Sequence, residues 1–196
     1  MILPIVAYGD PVLRKKAVEI PQDYPELKEL VANMFETMYG ASGVGLAAPQ
    51  IGKAIRLFVV DATPFADDED LSDEEQERLK TFKKAFINPQ ILEETGDEWA
   101  FSEGCLSIPG INEDVFRCPI IKIKYQDEDF NEHVEEFDGL LARVIQHEYD
   151  HIEGILFTDK LSSLKKRIIK SKLAGISKGK VNADYRMRFP AVKKGR

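Results

Sequence analysis

The chain has 196 residues, 43% of them hydrophobic, with 27 Lys and Arg against 34 Asp and Glu and two cysteines. That length buries a core without disulfides or a structural metal. Its apolar runs, such as Leu57 to Val60, are far too short to span a bilayer, and Met1-Ile2-Leu3-Pro4 lacks the basic start and apolar stretch of a signal peptide. Cys105 and Cys118 form neither a CxxC pair nor a disulfide framework. One globular cytoplasmic domain is expected, with no membrane and no DNA partner. The net charge of −7 is unevenly spread: residues 160–196 carry 13 Lys and Arg against the acid Asp184, whereas Asp67 to Arg78 hold eight acids and one base. The acidic run reads as a solvated face, and the basic end either as another solvated surface or as one that attracts an anionic partner.

Asp23 to Tyr39 is the first clear helix. Leu27, Leu30, Val31, Met34, Phe35 and Met38 recur at helical spacing and make one apolar stripe. Asp23 and Glu26 read as its capping box and Gly40 as its stop. Next comes Gly43-Val44-Gly45-Leu46-Ala47-Ala48-Pro49-Gln50, which formally fits GxGxxA, with Asp61 placed like a ribose-binding acid. A nucleotide fingerprint needs strand, glycines and helix in that order. Here a helix comes first and Pro49 breaks the stretch after the glycines, so dinucleotide binding is rejected and a tight turn expected. Ile55 to Val60 and Ala85 to Ile91 read as strands, separated by the acidic stretch with a short surface helix from Leu71 to Phe82. Glu103-Gly104-Cys105-Leu106-Ser107 reads as a loop in which Gly104 allows unusual backbone angles and close approach. Pro119 to Tyr125 alternates like a half-buried strand and pairs with Glu132 to Phe137 across Asp127-Glu128-Asp129. A second helix runs from Asp138 to Glu153 and stops at Gly154; a third, basic one covers Ser162 to Leu173. Short strands around a central helix make the fold class α+β.

His147-Glu148-Tyr149-Asp150-His151 on the second helix matches HExxH. Histidines four residues apart project from one face and can share a metal, with Glu148 placed as general base for water. All three lie within or beside the apolar arc of Leu140, Leu141, Val144 and Ile145, so they need partners, and a metal satisfies the imidazoles. His133 lies upstream and no Glu follows Glu153, which disfavours ordinary metallopeptidase architecture. Asp159, Asp184 and the two cysteines remain as the third ligand. A thiolate with two imidazoles leaves one coordination position open. Cys105, in its glycine-containing loop, is the better placed; Cys118, ahead of Pro119, reads as a small buried apolar residue.

The segments Gly43 to Gln50 (GVGLAAPQ), Glu103 to Ser107 (EGCLS) and Gln146 to His151 (QHEYDH) together resemble the peptide deformylases, with Tyr149 at a variable position of the last motif. The opening Ile5 to Arg14 is family-like as well, and the likeness covers most of residues 1–165. The resemblance implies Cys105, His147 and His151 as metal ligands and Glu148 as the acid/base. It implies Gln50 and the Leu106 N–H as oxyanion donors, Gly45 as a substrate-binding residue, and a methionine slot near Val44, Leu140 and Val144, with Arg143 at its edge. The implied fold wraps antiparallel sheets about the helix that bears the histidines. The implied cofactor is one divalent metal, Fe²⁺ in vivo, with Zn²⁺, Ni²⁺ or Co²⁺ in preparations. The implied substrate is an N-formyl-methionyl nascent peptide, which loses formate. An HExxH metallopeptidase cleaving internal peptide bonds is the alternative. Residues 1–165 are expected to form the catalytic domain, with an acidic insertion at about 64–80. Residues 166–196 then form a basic helix end and tail, and Lys165, Lys166, Arg167, Lys170 and Lys172 make a candidate contact for ribosomal phosphates.

Overall fold

The computed structural model describes residues 1–190, so Lys193, Lys194 and Arg196 of the basic tail lie outside the described residues. The chain opens with β1 (Ile5–Val6) and a 3₁₀ turn at Pro11–Arg14, capped by the Asp10 carboxylate, which accepts from the Val12 N–H at 3.0 Å. α1 (Leu27–Gly40) buries the expected stripe. Its start differs from the expectation. The helix begins at Leu27, and Glu26 sits in the left-handed region at φ 55° with no side-chain cap. Pro25 disfavours a helical Tyr24 before it, so a capping box between Asp23 and Glu26 does not form.

β2 (Gly45–Ala47) runs into a 3₁₀ turn at Ala48–Ile51, so the small-residue segment is a short strand feeding a helical turn. β3 (Leu57–Asp61) is buried throughout. The acidic stretch holds a 3₁₀ turn at Thr63–Phe65 and α2 (Asp73–Lys80), which is closed by a Ser72/Glu75 capping box and buries only Leu79. Then come β4 (Lys83–Thr95), β5 (Trp99–Cys105), β6 (Ile108–Arg117), β7 (Ile120–Gln126) and β8 (Glu132–Asp138). The chain continues through α3 (Gly139–Ile152), α4 (Ser163–Ser177) and β9 (Met187–Arg188).

Five strands form an antiparallel sheet in the order β2-β3-β4-β7-β8; β5 and β6 make a separate hairpin, and β1 pairs in parallel with β9. Helices cover both faces of the sheet, which explains the unbroken apolar run of β3. Phe58 and Val60 point to one face and pack with Leu141, Val144, Ile145 and Ile152 of α3. Leu57 and Val59 point to the other and pack with the stripe of α1. A third cluster joins Ile108, Ile111 and Val115 of the hairpin to Ile169, Leu173 and Ile176 of α4. The fold is thus the expected mixture of helix and sheet.

The β5–β6 hairpin corrects the loop expected at Glu103 to Ser107. Those residues end a strand and turn through Leu106 and Ser107 into the next. Gly104 does not adopt a left-handed angle; it makes room for the Asn112 side chain, which a Cβ there would meet at 3.2 Å. Among the described residues no helix is long and apolar enough to cross a membrane.

Candidate metal centre and active-site cleft

α3 is anchored on the sheet by its apolar face, and this fixes the direction of the adjoining polar one. The ligand atoms of Cys105, at the end of β5, and of His147 and His151 all lie within 4.8 Å of one another. Cys105 Sγ is 3.3 Å from His151 Nε2. His147 Nδ1 meets Glu103 Oε2 at 2.9 Å, an orientation that turns Nε2 away from the carboxylate and toward the cluster. His151 Nδ1 and Glu148 Oε2 are buried with no hydrogen-bond partner. An unpartnered Glu148 oxygen is costly unless something outside the chain meets it, whereas His151 Nδ1 is on the far side of its ring from the Nε2 that faces Cys105. A thiolate and two imidazoles converging beside them suit a Zn²⁺- or Fe²⁺-like ion with one position open.

Burial pushes the Glu148 carboxyl up to about 7; the nearby Glu103 adds to the rise, while His147 and Arg117 oppose it. His151 is pushed well below its ordinary value, first by burial and then by the positive charges of His147 and Arg117. Glu103 behaves in the opposite way. Burial works against its charge, but the bonds from His147 and Arg117 hold its carboxyl well below the usual range.

Glu103 is the hub of a buried ionic network. Arg117, the last residue of β6, donates Nε and Nη2 to the two Glu103 oxygens at 2.7 and 2.9 Å and Nη1 to Asp150 at 2.7 Å. Arg143 donates Nη1 to Glu103 at 3.0 Å and to the Val115 carbonyl at 2.9 Å, and Nη2 to the Trp99 carbonyl at 2.7 Å. Gln146 Nε2 reaches the Cys118 carbonyl at 3.0 Å. These bonds clamp the hairpin onto α3 and so fix Cys105 relative to the histidines. Sequence reasoning gave Glu103, Arg117 and Asp150 no role. The available signal was the spacing of Glu103 and Cys105, two residues apart on one strand.

Gln50 accepts the Ala47 N–H through Oε1 at 2.8 Å, which aims its Nε2 toward Cys105 Sγ at 3.5 Å and Ser107 Oγ at 3.4 Å. The Ser107 contact is long whereas 3.5 Å is an ordinary distance to sulfur, so of its two N–H donors this amide keeps one with capacity toward the cleft. Gly45 lies against Glu148: a Cβ there would stand 2.8 Å from its Cγ and Cδ. The cleft measures about 630 Å³ and is lined by Val44, Gly45, Gln50, Leu106 and Val144 together with the Cys105, His147 and Glu148 group. Leu140 does not line it. One turn nearer the start of α3, it faces a small separate recess with Leu71 and Leu79 of the acidic segment. Arg143 does reach the cleft wall, though most of its guanidinium is committed to the network. Cys118 is half-buried rather than buried and stands apart from the ligand cluster, because it lies in the connection between β6 and β7. His133 pairs with Asp127 on β8, far along the sheet.

A polypeptide deformylase family model matches residues 2–167. The chain is 68% identical over 196 residues, all of both chains, to a peptide deformylase of Christiangramia forsetii. It is 48% identical over 185 residues to one of Salinibacter ruber, covering 94% of this chain and 93% of that one. Among solved structures, the peptide deformylase of Thermus thermophilus superposes with a TM-score of 0.78 at 40% identity, covering 91% of this chain and 99% of that one. A Plasmodium falciparum peptide deformylase in complex with an inhibitor gives a TM-score of 0.74 at 34% identity, covering 89% and 99%.

Proposed function

The chain belongs to the polypeptide deformylase family, whose reaction removes the N-formyl group from nascent polypeptides, and we propose that its own Cys105, His147 and His151 hold the metal while Glu148 moves the proton. One observation carries this reading: three ligand atoms within 4.8 Å of one another beside a buried Glu148 oxygen without a partner. The thiolate-imidazole set suits Fe²⁺ as the resident ion, with Zn²⁺, Ni²⁺ or Co²⁺ able to take its place. A divalent ion there would supply Lewis acidity toward the formyl carbonyl and toward water.

The protein's part is positioning and proton transfer. Glu148 accepts the proton of the attacking water and returns it to the leaving amine, releasing formate; its burial disfavours the bare carboxylate and so favours taking up that proton. Gln50 Nε2 and the Leu106 N–H face the developing oxyanion, donors whose individual loss typically costs about 2.7–4 kcal/mol. Val44 and Val144 wall the methionine side chain. β2 is an edge strand of its sheet, so an extended substrate docks alongside Gly45 by strand addition. In this reading α3 is the central helix about which the antiparallel sheets are wrapped, and residues 1–165 are the catalytic body, acting in the cytoplasm.

Ribosome docking through α4 is supported by Lys166, Arg167, Lys170 and Lys172, which are exposed, whereas Lys165 is engaged by Glu113 at 2.9 Å. A chain ended at Asp159 would lose the buried Ile169, Leu173 and Ile176, so neutralising substitutions on α4 are the cleaner probe of that contact.

The function is tested with formyl-Met-Ala-Ser as substrate, formate release as readout and casein as the control for internal cleavage. Glu148→Gln keeps its metal and loses turnover by about a thousandfold, within the range for a lost general base. Cys105→Ser loses metal, while Cys118→Ser keeps it. Full turnover in metal-loaded Glu148→Gln would remove Glu148 from the proton path.

A further inference from the structure

The family model ends at residue 167, yet the chain after α4 turns back across the mouth of the cleft. There Asn182, Asp184 and Tyr185 join its lining. We propose that residues 182–188 are a strap that holds the oxyanion side of the active site in register, with Tyr185 as a positioning residue acting through the Leu106 carbonyl. The proposal rests on the reading of Gln50 and the Leu106 N–H as oxyanion donors.

Three attachments define the strap. β9 lies parallel to β1, with the Ile5 N–H donating to the Arg186 carbonyl and the Ala7 N–H to the Arg188 carbonyl, both at 2.9 Å. At one end the Tyr185 hydroxyl donates to the Leu106 carbonyl at 2.7 Å. At the other, the Arg188 guanidinium lies over Gly52, where a Cβ would meet its Nη1 at 3.1 Å, and it approaches Asp10 at 3.7 Å. Gly52 directly follows the 3₁₀ turn that carries Gln50. One short segment therefore touches both turns that present the oxyanion donors.

The Leu106–Ser107 turn needs such support. It joins β5 to β6 just after a register shift between Glu103 and Cys105, so the ladder does not fix it alone. The Tyr8 N–H holds the Ser107 carbonyl at 2.8 Å, and Tyr185 holds the Leu106 carbonyl from the strap. Holding this carbonyl holds the Leu106–Ser107 peptide plane, and only the φ and ψ of Leu106 separate that plane from the one that carries the Leu106 N–H. Oxyanion donors work only when held near 2.7–3.1 Å of where the charge develops, so small rotations of this turn reach the chemistry. Burial raises the Tyr185 phenol, with the nearby Cys105 adding to the rise, which keeps the hydroxyl protonated as a donor.

The experiment compares metal-loaded wild type with Tyr185→Phe, which keeps the ring and removes the hydroxyl. Steady-state kinetics with formyl-Met-Ala-Ser are paired with amide hydrogen exchange of the segment 103–108 and with the thermal midpoint. The strap predicts kcat lowered by about tenfold, KM within about twofold, a midpoint lowered by no more than about 6 °C, the scale of one lost hydrogen bond, and faster exchange at the turn. Unchanged exchange, or a midpoint that falls by more than about 10 °C, overturns the positioning role. Faster exchange with undiminished kcat leaves the tether in place but removes Leu106 as an oxyanion donor, and the positioning role falls with it.

Discussion

α3 and α4 are helices of 14 and 15 residues with opposite fates for their charges. α3 buries Arg143, Glu148, Asp150 and His151, whereas α4 buries only Ile169, Leu173 and Ile176 and leaves most of its cations in water. The difference lies in what each helix faces. The β5–β6 hairpin brings Glu103 and Arg117 to α3, so Arg143 and Asp150 meet opposite charges through short bonds, while Glu148 Oε2 and His151 Nδ1 stay without a partner in the chain. α4 carries cations alone, and apart from Lys165, which meets Glu113, they stay in water, since burying a charge without a paired counter-charge is costly. Chemistry is built where a second element supplies the counter-charge.

The contrast breaks most sharply at Glu103. Glu103→Gln removes the carboxylate shared by two guanidiniums and His147, and it leaves buried positive charge uncompensated. The expected loss is about 3–5 kcal/mol in urea unfolding at neutral pH. Metal affinity is expected to fall by about 10–100-fold as His147 loses its orienting partner. A loss under about 1 kcal/mol would show that α3 tolerates its charges without the hairpin.

On α4, adjacent residues sharpen the comparison. Ile169 is buried and Lys170 exposed. Ile169→Ala should cost about 2–4 kcal/mol, and Lys170→Gln should change stability by no more than about 0.5 kcal/mol. Equal effects in thermal unfolding would contradict the division of the helix into a packed and a solvated face.

The smallest effect lies at the junction of the two helices. Asp159 sits in the 3₁₀ turn Phe157–Lys160, where burial works against its charge but Arg14 and the Leu156 N–H hold its pKa below the ordinary value. A depressed native pKa stabilises the fold above the unfolded value, about 3.9, and this contribution disappears as pH falls through the native one. The pair is partly exposed, so about 0–1 kcal/mol is at stake. Asp159→Asn should lower stability at pH 7 by up to about 1 kcal/mol and converge on the wild type at low pH, which flattens the acid limb below about pH 4. An acid limb identical to that of the wild type would remove the pair from the balance.

Legibility in the sequence divides along the same line. α3 is expected over Asp138 to Glu153 and spans Gly139–Ile152, because its apolar arc and the motif have the same helical period. β7 and β8 are legible from simple alternation. The hairpin is not, because its inward positions include Glu103 and Arg117, and a charged residue facing a core disguises the alternation of a strand. Cys105 is legible through its motif, whereas its supports are hidden, since a buried ion network is specified only by partners distant in the chain. Leu140 is misplaced for a related reason. The resemblance puts it in the slot with Val144, but here it faces a separate recess formed with Leu71 and Leu79 of the acidic segment. The strap leaves no periodic trace at all: β9 is two residues long.

The parallel pairing of β1 with β9 also has a consequence for the order of folding. Ile5 and Met187 meet across most of the described chain, so closing this pair carries a larger loop-closure cost than the hairpin or the β7–β8 ladder. Contacts of that separation form late, after local pairings have reduced the distance between the two segments. The strap is thus the last part of the cleft to be set and the first that destabilising conditions would release.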